Sequence, residues 1–158
     1  GTFSDQEISV MLQERKPMVS DWRNRICLRP KRGHEERDIE LVGDNGSEFR
    51  LVLRRNKVNP LDFSIIVAVR VPKSNQLFRL RRYNGKSHEH TNHIEDVTFY
   101  DFHIHMATER YQEIGTREDA YAVPTDRYGD FHGALQCCLE DANFDIPPEA
   151  QGSLFDEV

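Results

Sequence analysis

Five of the seven histidines fall between residues 88 and 105: His88, His90, His93, His103 and His105. Histidine is the side chain that most readily exchanges a proton near neutral pH, and it is also a common metal ligand. The stretch Asp101-Phe102-His103-Ile104-His105 alternates polar and apolar residues. On a strand this places Asp101, His103 and His105 on one face, with successive members about 7 Å apart. Arginines recur on the neighbouring segments. Arg50 and Arg54 flank Leu51 to Leu53, and Arg79 and Arg81 alternate with Phe78 and Leu80, followed by Tyr83. Guanidinium groups offer planar paired donors to phosphate. Histidine, arginine and tyrosine on one surface could cleave a phosphodiester without a metal: a base, an acid and a cationic clamp.

The elements that would position these residues follow from periodicity. Ser4 and Glu7 form a capping box, flanked by Phe3 and Ile8, so a helix is expected over residues 4–16, ending at Pro17. Trp22, Asn24, Ile26 and Leu28 alternate with Arg23, Arg25, Cys27 and Arg29, as in an edge strand. Strands are expected at 39–42, 49–54, 63–71, 77–83 and 99–106. They are separated by turn sequences such as Asp44-Asn45-Gly46, and the connections are too short for parallel crossovers. A further short strand over 121–123 fits. Thr125 or Asp126 can cap a final helix reaching about Ala142. The expected fold is α+β: an antiparallel sheet of about five strands, with an N-terminal and a C-terminal helix on one face. One domain would span residues 1–144. An acidic, loosely ordered tail would span 145–158.

Charge sharpens the reading. The 158 residues carry a net charge of −6, which taken alone argues against an anionic partner. Split by position, residues 1–86 are at +7 and residues 87–158 at −13. A basic surface beside an acidic one suits an anionic ligand. If each strand's more apolar set faces the helices, the other face collects Arg50, Arg54, Arg70, Arg79, Arg81, Tyr83, Asp101, His103 and His105.

Three functions remain open. The first is a ribonuclease-like phosphodiesterase without a cofactor. There His103 and His105, with Asp101, would move protons. Arg50, Arg54, Arg79, Arg81, His88 and His90 would hold the substrate, and Tyr83 would stack on a base. The second is a non-catalytic module for an anionic partner, nucleic acid or protein, of toxin–antitoxin or defence type. The third is a metal hydrolase holding Zn²⁺ or Mn²⁺ on His103, His105 and a loop histidine such as His93. Against each stands the ordinary reading: strand arginines facing solvent, and histidines satisfied by neighbouring strands.

Other classes drop out. There is no Gly-rich phosphate loop, dinucleotide fingerprint or Gly-x-Ser-x-Gly elbow. Cys27, Cys137 and Cys138 lack the spacing of a disulfide scaffold or metal site, and the adjacent pair fits a helix with a thiol facing the core. Reduced cysteines, and no apolar run near the ~20 residues of a membrane span, suggest a cytoplasmic protein.

The segments Phe78-Arg79-Leu80-Arg81-Arg82-Tyr83-Asn84-Gly85 and Phe102-His103-Ile104-His105-Met106-Ala107-Thr108-Glu109-Arg110-Tyr111-Gln112 resemble parts of uncharacterised bacterial proteins. The resemblance implies a bacterial, cytoplasmic setting and carries over no functional residue. A small antiparallel sheet with flanking helices is also similar in design to compact bacterial toxin ribonucleases, although this chain is longer and more acidic.

Overall fold

A computed structural model describes residues 2–147. Helix α1 (Asp5–Gln13) begins at the expected box: Ser4 Oγ accepts from Glu7 N, and Glu7 Oε1 accepts from Ser4 N. It stops before Pro17, and β1 (Lys16–Pro17) follows. Next comes α2 (Trp22–Ile26), where alternation had suggested a strand. Trp22 and Ile26 are buried and Asn24 is exposed. Positions four apart share a face in both a helix and a strand, so the apolar spacing could not separate the two.

Strands β2 (Arg29–Pro30), β3 (His34–Val42), β4 (Glu48–Asn56), β5 (Phe63–Arg70) and β6 (Leu77–Asn84) form an antiparallel meander. The hairpin β7 (His90–Asn92) and β8 (Val97–Phe99) stands in the histidine-rich segment for which no strand is expected before residue 99. Strand β9 (His103–Met106) pairs with β6, the short helix α3 (Glu109–Glu113) follows, and β10 (Tyr121–Pro124) pairs with β9. The main sheet is therefore seven-stranded, in the order β10-β9-β6-β5-β4-β3-β2, and antiparallel throughout. It has more strands than expected, in the expected α+β class.

Helix α4 (Phe131–Asp141) is capped by Asp130, whose carboxylate accepts from Gly133 N at 2.7 Å, and not by Thr125 or Asp126. It buries Ala134, Leu135, Cys138 and Leu139 in one core with Ile8, Leu12, Trp22 and the inner face of the sheet. Asn143 ends the helix at φ 55°. Residues Phe144–Asp145 form β11, paired in parallel with β1, and Ile146 is buried. The first two residues of the expected tail are thus part of the fold; residues 148–158 lie outside the described residues. Lys16 is buried, and its ammonium donates to the carbonyls of Met11, Leu12, Glu14 and Ala142, tying the ends of α1 and α4 together. No helix among the described residues is long and apolar enough to cross a membrane.

One irregularity decides which side chains share a face. Ala68 pairs with Arg79 and Val67 with Arg81, so Leu80 is an extra residue on β6. Such a bulge shifts the alternation by one. Beyond it Arg81 and Tyr83 turn to the helix side, while Arg82 and Asn84 take the open face.

Candidate functional site

On the open face, β9 brings His103 opposite Asn84 and His105 opposite Arg82. Both histidines lie where alternation placed them, but they are buried, 0% and 3% exposed. The hairpin β7–β8 covers them. Asn92 fixes it by bonding like a strand residue to β10: its Nδ2 donates to Ala122 O at 2.7 Å and its Oδ1 accepts from Ala122 N at 2.9 Å. His90 then stacks on His103, ring centres 5.6 Å apart, and meets His105 edge-on at 4.8 Å. His88 packs against His103 at 5.9 Å.

The tautomers follow from the partners. His103 Nδ1 lies 2.7 Å from Asp101 O, and His105 Nδ1 lies 2.7 Å from Asp119 O. A carbonyl only accepts, so both Nδ1 atoms carry hydrogen and each neutral ring keeps an accepting Nε2. His103 Nε2 lies 3.4 Å from Asn84 Nδ2. Burial opposes protonation, driving His103 down to about 4 and His105 to about 2, with the positive charge of Arg82 adding to both. His90 is also lowered, mainly by burial.

Between the hairpin and the sheet runs a cleft of about 480 Å³, lined by Arg82, Arg117, His88, His90, His93 and His105, together with Asn84 and Glu89. Behind it lies Asp119, fully buried. Its carboxylate is 3.2 Å from Arg82 Nε, and 3.7 Å from the Nε of both Arg79 and Arg117. Neither carboxylate oxygen has a hydrogen-bond partner among the described residues.

The other expected residues divide. Arg79 is on the open face but is committed to Glu118, which takes both its guanidinium and its backbone N–H. Arg50 is likewise held by Glu40 at 2.6 Å, with Asp38 at 4.0 Å. Arg54 is exposed and forms no ion pair among the described residues, but it opens on a separate pocket. Arg81 and Tyr83 must be corrected: they lie on the helix side, where Tyr83 donates to Asp141 Oδ2 at 2.6 Å and Arg81 approaches the same oxygen at 3.4 Å. Tyr83 is fully buried and cannot stack on a base there. Asp101 must be corrected too. It precedes β9 in a bend, its side chain is exposed and lines a different cleft, and only its carbonyl reaches His103.

Arg82, Arg117, Asn84 and Asp119 were missed. Arg82 and Asn84 are displaced from the expected face by the bulge alone, and Arg117 and Asp119 come from a segment without periodicity. As for metal, no group of three or more His, Cys, Asp or Glu side chains among the described residues is arranged to hold an ion. His103 and His105 spend one nitrogen each on a carbonyl, and His93 stands on the hairpin.

Residues 3–143 match the model of a family of unknown function, DUF6978. The chain belongs to this family. No curated protein and no solved structure matches it. In this DUF6978 member the matched region contains the whole cleft, from Arg82 to Ala120.

Proposed function

We propose that the cleft binds and cleaves a phosphodiester of RNA by histidine acid–base chemistry. The observation that carries this reading is the convergence of two guanidinium groups, Arg82 and Arg117, with His105 of β9 and with His88, His90 and His93 on one cleft. The arginines would clamp a phosphate, stabilising the charge that develops on it. Buried and tautomerically locked, His103 and His105 are positioning residues that hold His90 and His88 in place. His88 and His93, exposed on the rim, would carry the protons. One takes the proton of a ribose 2′-hydroxyl as that oxygen bonds to phosphorus. The other protonates the departing 5′-oxygen as its bond to phosphorus breaks. The products are a 2′,3′-cyclic phosphate and a 5′-hydroxyl end.

The test is incubation of the purified full chain with labelled RNA, with end-group analysis of the products. Arg82→Gln should lower cleavage by about 100-fold, the scale set by removing one transition-state donor, and His88→Ala should lower it comparably. Arg82-dependent binding without turnover would make the cleft a non-catalytic module for an anionic partner. Absence of both binding and cleavage would overturn the reading.

A further inference from the structure

The open face continues past the cleft. Arg54, Ser64, Asn84 and His103 are direct partners on four successive strands, β4, β5, β6 and β9. The row is hydrogen-bonded over most of its length: Ser64 Oγ donates to Asn84 Oδ1 at 2.9 Å, and Asn84 Nδ2 faces His103 Nε2 at 3.4 Å. At its far end is a second pocket of about 290 Å³, lined by Arg32, His34, Arg54, Asn56, Asp62 and Ser64. Gly33, at φ 80°, makes the turn that brings Arg32 over it. Asp62 is the one acid in this lining. Its oxygens are occupied by Asn56 Nδ2 and Ser87 Oγ, each at 3.3 Å. Ser87 Oγ also lies 3.2 Å from His88 Nδ1, so the second pocket is tied directly to the rim of the first.

Ser64 lines the second pocket and Asn84 the first, so the two pockets adjoin along the sheet. From Arg54 on β4 to His105 on β9, which lines the cleft, is at least three strand spacings, about 14 Å. That exceeds the reach of a single phosphate. Half-buried Val52 and Ile66 lie beside the row on the same face and offer an apolar strip for bases.

We infer that the ligand is an extended single-stranded RNA whose backbone crosses the strands, with one phosphate in the Arg82–Arg117 cleft and a later one in the Arg32–Arg54 pocket. This rests on the phosphodiester reading of the cleft and adds a second anion site to it. Cationic grooves that follow a nucleic-acid backbone gain affinity with strand length, and that affinity is salt-dependent.

The experiment is fluorescence anisotropy with fluorescein-labelled 2′-O-methyl oligouridylates of two and eight nucleotides, which lack the attacking hydroxyl. The wild-type chain should bind the eight-mer about 10-fold or more tighter than the two-mer. Arg32→Ala/Arg54→Ala should remove that gain, lower the salt slope by about 1.4, and leave two-mer binding unchanged. Arg82→Gln should weaken both probes. Equal affinity for the two lengths, an eight-mer affinity untouched by the double substitution, or equal competition by oligoglutamate overturns the second site while the cleft reading stands. No binding of either probe overturns both.

Discussion

His105 Nδ1 donates to the backbone carbonyl of Asp119 at 2.7 Å, and the same residue's carboxylate faces Arg82 at 3.2 Å. One residue thus orients a histidine through its main chain and an arginine through its side chain. The two roles separate on mutation. Asp119→Ala keeps the carbonyl but leaves Arg82, deeply set in the sheet, without its counter-charge. Removing one partner of a buried pair costs about 3 kcal/mol or more, so urea unfolding should show a loss of that order. A loss below about 1 kcal/mol would mean that Arg82 does not depend on this carboxylate.

The histidine pair sets an acid limit on stability. An unfolded histidine takes up its proton near pH 6.5, whereas buried His103 resists until about 4 and His105 until about 2. Between those values the unfolded chain binds more protons, so stability is full above about pH 6.5 and falls as pH drops. Each group contributes a slope of about 1.4 kcal/mol per pH unit. Unfolding free energies of wild type and His103→Gln, measured from pH 7.5 to 4.5, should diverge at the high end and converge at the low end by that slope. Parallel curves would show that His103 titrates normally in the fold.

Tyr83 tests the bulge. Its hydroxyl donates to Asp141, which also holds Arg127 through two contacts at 2.8 and 2.9 Å. Tyr83→Phe should cost about 1 kcal/mol in stability. Oligouridylate binding should not change, because the ring faces α4 and not the open face. A binding loss greater than about threefold would place Tyr83 back on the ligand surface.

Much of the fold was legible locally. The Ser4–Glu7 box, the apolar alternation of Phe63 to Val69, the Asn45-Gly46 turn and the stripe of α4 are signals between residues close in sequence. The chain could state them without tertiary context. The Trp22–Ile26 helix was not legible, because its apolar spacing satisfies two periods at once. The hairpin over His90–Phe99 was not legible either. It is held by Asn92 bonding to Ala122, thirty residues on.

The sequence alone determined that five of the seven histidines would cluster beside an arginine-rich sheet, and that His103 and His105 would share a face. Strand alternation is a covalent consequence of the backbone. Which arginines meet them was decided by tertiary structure. A single extra residue, Leu80, moves Arg81 and Tyr83 to the helices and presents Arg82 and Asn84 to the histidines. A bulge arises from how two strands fit, and nothing in the composition of either strand announces it. Burial was decided the same way. The hairpin buries the pair of histidines that alternation left on the open face, and leaves His88 and His93 exposed on the rim.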